Sequence, residues 1–567
     1  MKKILLLNFL FLFVLMGQVT AQSRTITGKV TGAGDGAPLP GVSVVVKGTT
    51  TGTATNADGS FTVNIPADDA NTLVFRYIGY ITKEVAIGTS SNFNVTLELD
   101  SKLISEVVVV AYGTADKGSF VGSAGQVTVE KIAQRPVTNI SNAVAGQIAG
   151  VQTSSGSGQP GEGPAIRIRG ISSVNASNNP LYVVDGVPYS GALGNLNPED
   201  IAEITVLKDA SSTSLYGSRA ANGVVMITTK RGTKNRNEVS FKALQGVVTR
   251  ALPEYDRVNA YQYYPLGWEA YRNSMYHSGA RSLEDANRIA SIGGTAANGT
   301  RINSIYDNLR YNPFNVPNDQ IVMQDGTLNP DARLIYSEKD LDWFDPISRT
   351  GTRGDYAVTL NGGAEKSDYF VSLGYLDEKG FVERSDYERF TARVNLNASP
   401  KKWFSTGLNL AGNVTQSNQA SDESSSGYVN PFYFARTMGP IFPVYAQNPE
   451  TGAFIRDEAG NKIYDLGNMN ELGLPNRPAG ASPGRHVVAE TQLNEEQVKR
   501  NALSARTFAE VSFLNNFKLR ANLAGDINNY EGISYQNTLV GDGAPAGRAS
   551  RTLTTTTSYT LNQLLTY

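Results

Sequence analysis

Asp355 to Tyr375 reads DYAVTLNGGAEKSDYFVSLGY, two alternating runs on either side of a glycine-containing turn. Tyr356, Val358 and Leu360 share a face of the first run, and Tyr369, Val371, Leu373 and Tyr375 share a face of the second. Ala357, Thr359, Ser372 and Gly374 stand between them, small or polar. A side-chain period of two with one apolar face predicts a β-hairpin that is greasy on one side only. The pattern recurs in RFTARVNLNAS, where Phe390, Ala392, Val394 and Leu396 oppose Thr391, Arg393, Asn395 and Asn397, and the turn SPKKW leads into FSTGLNLAGNV. Arg506 to Asp526 repeats it around a turn at Leu514 to Asn516. Two architectures accept such strands: a soluble sandwich or solenoid, which buries the apolar face, and a transmembrane barrel, which turns it to lipid.

The first residues bear on that choice. In MKKILLLNFLFLFVLMGQVTAQ, Lys2 and Lys3 precede an apolar stretch from Ile4 to Met16, and Val19, Thr20 and Ala21 are small residues suited to cleavage before Gln22. Residues 1–21 therefore read as an export signal. The stretch is shorter than the roughly 18 residues a spanning helix needs, and no second long apolar run follows, so membrane embedding would be by strands. With aromatic strand ends, short turns on one side and long Asn-, Gly- and Pro-rich loops on the other, a β-barrel is expected over 236–567. Asp256 to Asp345, with helix-like pieces such as NAYQYYPLGWEAYRNSMY, is expected to be an extended loop.

The chain has no cysteine and only His277 and His486, so it has no disulfides and little material for a metal site; no metal and no cofactor are expected. Lys plus Arg number 50 against 52 Asp plus Glu, and no basic excess points to nucleic acid. H-E-x-x-H is absent, two histidines are too few for a convincing triad, and a carboxylate pair such as Glu254 and Asp256 carries no weight in a chain with 52 acids. An enzyme is not expected.

Two further units precede the strand repeats. Residues 24–100 alternate in short runs broken by GDGAPLPG, NADGS and PADDAN, with Val42, Val44 and Val46 on one face and Phe61, Val63 and Ile65 on another, as a sandwich requires. Residues 115–235 mix strands (AIRIRG, PLYVVDGVPYS, NGVVMITTKRG) with short helices: one capped by Asn139 or Ser141 and stopping at Gly150, one starting at NPED before a strand Glu203 to Leu207, and one ending near Gly217. A compact α+β domain is expected there. Between the two lies EVVVVAYGT, residues 106–114, whose β-branched density demands a strand and therefore a partner strand.

Three stretches sharpen the reading: IRIRG (Ile166–Gly170), LYVVDGVP (Leu181–Pro188) and LNPEDIAEITVLKDASSTSLYGSRAANGVVMITTKRG (Leu196–Gly232). With the N-terminal sandwich, which resembles the carboxypeptidase-regulatory-like domain, and the valine strand, they resemble the SusC/RagA-type TonB-dependent outer-membrane transporters. The resemblance is dense from Thr25 to Gly232 and looser beyond. It implies a mainly β protein: an Ig-like sandwich, an α+β plug and a barrel of 22 antiparallel strands in outer-membrane lipid. It implies a TonB box at Val107, Val108, Val109, Val110, Ala111 and Tyr112, where TonB, powered by ExbB and ExbD, adds a strand through backbone hydrogen bonds. The alternative is that these valines complete the sandwich.

Within the plug the resemblance singles out Arg167, Arg169, Gly170, Asp185, Gly186, Lys208, Asp209, Tyr216, Gly217, Arg219, Asn222 and Gly223 as structural or gating residues. Ile166 and Ile168 would face a core, and Arg167 and Arg169 would meet acids on the barrel wall. Asp185-Gly186 is a hairpin pair, and Asp209 is placed to cap a helix. The implied function is TonB-dependent import of large nutrients, oligosaccharides or peptides, with a SusD-like surface lipoprotein. The alternatives are a TonB-dependent signalling receptor and a secreted or surface-attached β-rich glycan-binding or adhesion protein. The 330 or so residues after Asn237, at roughly ten per strand with long outer loops, would supply ten to twelve strands, so an incomplete N-terminal portion of a longer protein is expected. The ending TLNQLLTY also alternates and finishes on an aromatic, which leaves a natural terminus with a smaller barrel open.

Overall fold

The computed structural model describes residues 23–567 except 34–35, 67–71, 78–79, 99–106, 111–112, 117–122, 129–130, 133–134, 156–157, 210–212, 420–429 and 515. The expected export signal, and Ala111 and Tyr112 of the expected TonB box, lie outside the described residues. The chain divides into two units, Met1–Phe120 and Val121–Tyr567.

In the first unit, β1 (Ser23–Gly32), β4 (Ser60–Pro66) and β7 (Asn92–Leu97) form one sheet in the order β4-β1-β7. Facing strands β2 (Ser43–Val46), β3 (Gly52–Ala54), β5 (Thr72–Arg76) and β6 (Lys83–Ala86) form the other, in the order β3-β2-β5-β6. Alternate residues of both sheets meet inside: Val42, Val44, Val46, Phe61, Val63 and Ile65 are all buried, and Phe61 sits edge-on to Phe75 at 5.5 Å. The valine strand β8 (Val107–Val110) belongs to neither sheet. It pairs antiparallel with β9 (Gly113–Asp116), from Val107 opposite Asp116 to Val110 opposite Gly113.

The second unit opens with an α+β domain. Strands β10 (Ala124–Thr128), β13 (Leu181–Val184), β14 (Val187–Pro188), β15 (Ile201–Leu207) and β16 (Val224–Thr229) form a sheet in the order β10-β15-β16-β13-β14. A separate pair is made by β11 (Val151–Ser154) and β12 (Ala165–Ile168). Ile140, Val144, Ile166, Ile168, Ile204, Val206 and Ile227 share its core. The helix before Gly150 is confined to Ile140–Val144, capped by Asn139, whose side chain accepts from the Ser141 N–H. NPED is a single 3-10 turn, Pro198–Asp200, and the later helix, Ser214–Ala220, is broken by Gly217 at φ 64°.

The alternating strands form one antiparallel wall: β17 (Asn237–Val248), β20 (Gly351–Ala364), β21 (Ser367–Lys379), β22 (Asp386–Lys401), β23 (Phe404–Asn418), β24 (Glu495–Phe513), β25 (Phe517–Gln536) and β26 (Arg548–Thr566), in that order. Among the described residues the wall has eight strands, against the ten to twelve expected. They run 12 to 20 residues, longer than the roughly ten needed to cross lipid, and two long excursions take up the rest of the chain. The faces decide between the two architectures. On β22, Arg389, Arg393 and Asn395 are 3–4 % exposed while Phe390 and Leu396 are 50 % and 43 % exposed. Polar inside and apolar outside is the inverse of a soluble sandwich and fits a lipid-facing wall.

Residues 256–345 do not form an open loop. The helices Ala260–His277 and Leu283–Ile292 and the small hairpin β18 (Gly294–Thr295) with β19 (Arg301–Ile302) pack with a second excursion, between β23 and β24, that carries helices Pro431–Thr437 and Val487–Leu493. Tyr264, Trp268, Phe314 and Trp343 from the first meet Phe434, Phe442 and Val488 from the second in one core. The Trp343 indole N–H donates to the Phe442 carbonyl at 2.9 Å, and Tyr311 Oη donates to the buried Asp465 carboxylate at 2.9 and 3.0 Å. Glu254 is clasped by Arg250 at 2.6 Å and Arg436 at 2.9 Å, which holds its carboxyl down at about 2.

His486 locks this outer domain. Its ring lies 4.7 Å from that of Trp343 and 4.9 Å from that of Tyr464. Ala489 N–H donates to Nδ1 at 3.0 Å, so the proton sits on Nε2, which donates to the Val444 carbonyl at 2.7 Å. Burial, helped by nearby Arg477, pushes the imidazole down from 6.5 to about 3. A base held neutral in the fold but free to charge once unfolded contributes stability that is full above pH 6.5 and is lost as pH falls toward 3. Proteolytic resistance of the outer domain is therefore expected to fall across that window, and His486→Asn, which keeps a cap but cannot titrate, should flatten the dependence.

Candidate functional site

The polar inner face of the wall is filled by the α+β domain, and the seam between them is built from charge and amide groups. Asp200, at the end of the Pro198–Asp200 turn, accepts from Arg393 Nε of β22 at 3.1 Å and from Ser372 Oγ of β21 at 2.6 Å, and both charges of the pair are under 5 % exposed. Arg389 donates to the carbonyls of Thr138 at 2.8 Å and Gly194 at 3.1 Å. Arg353 of β20 bridges Thr138 Oγ1 at 2.8 Å and Glu378 at 3.1 Å. Asn395 donates to the Lys230 carbonyl at 2.6 Å, and Lys242 of β17 meets Glu199 at 2.5 Å.

Asp185 and Gly186 form the β13–β14 hairpin turn with φ of 49° and 82°, which only a two-residue turn of the primed type requires. That turn carries Asp185 to the wall: its carboxylate accepts from Thr229 N–H at 2.9 Å, Thr229 Oγ1 at 2.8 Å and Asn409 Nδ2 of β23 at 2.5 Å. The expectation that Arg167 and Arg169 meet wall acids is corrected. Arg167 donates to Asn179 Oδ1 at 2.7 Å, and Arg169, at φ 58°, is exposed. The polarity of the seam is reversed, with acids on the inserted domain and arginines on the wall.

The other singled-out residues knit the inserted domain to itself. Asn222 Nδ2 donates to the Ser177 carbonyl at 2.8 Å and its Oδ1 accepts from Ser172 Oγ at 2.5 Å, so Asn222 and Arg167 fasten the same 171–180 segment. Gly223, at φ 87°, lies where a Cβ would stand 2.7 Å from Ile168 Cδ1. Lys208 Nζ donates to the Ala149 carbonyl at 3.1 Å, and Asp209 Oδ2 accepts from Ser123 N–H at 2.5 Å beside the edge strand β10. Tyr216 is buried, Gly217 breaks its helix, Arg219 is exposed, and Gly170 has a positive φ. Asp200, Thr138 and Glu199 were not picked out from the sequence. The available signal was the arginine pair on the polar face of β22, which buried in a wall has to find an acid or carbonyl.

Towards the long-loop end, the seam opens into a pocket of about 380 Å³ lined by Pro160–Pro164 and Ala192–Asn195 of the inserted domain and by Tyr387, Thr415, Ser417, Gln419 and Arg500 of the wall. Gly161 packs on the Tyr387 ring so closely that a Cβ would stand 2.2 Å from it.

Removing one partner of a buried ion pair strands the other charge, at a cost of about 3–5 kcal/mol. Asp200→Asn is therefore expected to loosen the inserted domain, seen as faster proteolysis of residues 121–235 in detergent. Asp200→Leu combined with Arg393→Met, which removes both charges, should recover most of the resistance.

Two family models match the chain: the TonB-dependent Receptor Plug Domain over residues 116–224 and the CarboxypepD_reg-like domain over 26–110. The chain is 31 % identical over 520 residues to the TonB-dependent receptor SusC of Bacteroides thetaiotaomicron, covering 89 % of this chain and 44 % of SusC. It is 32 % identical over 420 residues to the TonB-dependent receptor P3 of Formosa agariphila, covering 74 % of this chain and 36 % of P3. Among solved structures it is similar to the RagAB peptide importer in its open-open state, with a TM-score of 0.55, 25 % identity, and coverage of 81 % of this chain and 46 % of that one. The chain thus spans less than half the length of these relatives. With its N-terminal sandwich, its plug and its wall strands all matched, the chain belongs to the SusC/RagA-type TonB-dependent transporters.

Proposed function

We propose that the protein imports large nutrients across the outer membrane by TonB-dependent active transport, with oligosaccharide as the cargo. The observation that carries this reading is the buried polar seam: the wall is apolar outside, and on its inner face Arg393 meets the plug's Asp200 and Arg389 meets plug carbonyls, which supports a channel closed by an insert. Peptide is the second reading, favoured by the likeness to the RagAB peptide importer. In this proposal the role is transport and not catalysis. The partners are TonB with ExbB and ExbD on the inner side and a SusD-like lipoprotein over the outer domain formed by the two long excursions.

Val107 to Val110 are the proposed TonB strand, in the box 106–114. The strand is separate from both sandwich sheets, and its pairing with β9 occupies one of its two edges, so the other edge supports strand addition. Affinity then rests on backbone groups. Val108→Pro removes one donor and fixes one dihedral, and is expected to abolish uptake, whereas Val108→Ala should weaken it only mildly. Thermal unfolding of the sandwich should be the same in both variants. Retained uptake in Val108→Pro cells would remove this strand from the energy-coupling role.

A further inference from the structure

On the inner face of the wall, arginines are paired almost without interruption: Arg353, Arg393, Arg506 and Arg520 each meet a carboxylate, and Arg389 is capped by plug carbonyls. Arg500 breaks the series. The half-buried guanidinium lies over the Tyr530 ring at 5.3 Å and, among the described residues, has neither a carboxylate nor a hydrogen-bond acceptor. Its direct cross-strand neighbour on β23 is Thr415, and Ser417 follows on the same face. Both residues are buried, and their hydroxyls likewise have no hydrogen-bond partner among the described residues. All three line the 380 Å³ pocket above the plug.

A row of one cation and two hydroxyls, facing an open pocket with no protein acceptor engaged among the described residues, is a set of donors free to meet a ligand. The remaining lining fits a polar occupant. Asn139 and Ser141 are tied to each other, Gln419 Nε2 donates to Glu162 Oε1 at 3.2 Å and so engages the pocket's acid, and Gly161, Gly163 and Gly194 bring bare backbone to the rim. Aliphatic side chains contribute little.

We infer that this pocket is a subsite for an acidic sugar: the Arg500 guanidinium takes the ring carboxylate of a uronic acid residue while Thr415 and Ser417 bond its hydroxyls. The two hydroxyls beside the cation favour a carboxylated saccharide, whose carboxylate is flanked by ring hydroxyls, over an acidic peptide, whose carboxylates are not. The inference rests on the import reading for the word cargo, but binding to the purified protein tests it without transport.

The experiment is calorimetric titration of the purified protein in detergent with trigalacturonic acid, with neutral galactotriose, and with a capped acidic pentapeptide. Parent protein should bind the acidic trisaccharide at least about tenfold more tightly than the neutral one. Arg500→Gln should lose about tenfold to a hundredfold for the acidic trisaccharide and leave galactotriose within about twofold, while Arg500→Lys should keep part of the preference. Among the described residues Arg500 holds no carboxylate or carbonyl, so its removal strands none of them. No preference for the acidic sugar, an equal preference for the peptide, or a preference that survives Arg500→Gln overturns the subsite. Failure of import alone, with the binding pattern intact, would overturn the transport reading and not this one.

Discussion

The Asp200 carboxylate is where the plug is registered to the wall. It accepts from Arg393 and Ser372 on two neighbouring strands, while the Asp200 carbonyl receives the Lys230 N–H at 2.8 Å, tying the entry of β15 to the exit of β16. A buried ion pair adds little net stability, because desolvation of both charges offsets their attraction, but it penalises every misplacement that would leave one of them alone. Asp185 on Asn409 and Thr138 between Arg353 and Glu378 repeat the same logic at other points of the seam. Position is specified by charge here, and cohesion is supplied elsewhere.

Cohesion of the plug comes from its apolar centre, where Ile140, Ile166, Ile204, Val206 and Ile227 pack together. The difference sets which boundary of the plug is the easier to open. A seam of hydrogen bonds exchanges for water at a net cost of about 1 kcal/mol each, whereas opening the apolar core exposes surface at about 25 cal/mol per Å². Several seam atoms, including Asn395 Oδ1 and Asn413 Oδ1, are buried without a protein partner among the described residues, so the seam is less completely matched than the plug core. The plug is thus easier to unseat than to unfold, except at β10, an edge strand held by β15 alone.

The wall was legible in the sequence because lipid imposes a strict period of two: Phe390 to Asn397 assigned each side chain to the correct face. The Asp185-Gly186 turn was legible because few dipeptides tolerate two positive φ values. The seam was not. Which acid meets which arginine depends on how two separately folded elements dock, and nothing local distinguishes Asp200 from the other carboxylates. Strand count failed for a related reason. The two excursions have helix-like periodicity, but their shared core joins residues more than a hundred positions apart, as Trp343 with His486, and only packing reveals that they fold as one body.

That shared body also fixes what can move. The outer domain is anchored at the ends of β17 and β20 by one excursion and at β23 and β24 by the other, and it therefore bridges the β21–β22 hairpin between them. Arg349 fastens it to that hairpin, donating to the Gly380 carbonyl at 3.0 Å and to Asp386 at 2.5 Å, with Glu383 at 3.5 Å. Among the described residues, four strand ends and a clasped turn tie the domain to the wall, and its core carries bulky aromatic side chains in mutual contact. Of the elements around the pocket at Arg500, the plug is thus the one held in place by separate hydrogen bonds and ion pairs, such as those of Arg389 and Arg393, and not by a shared apolar core.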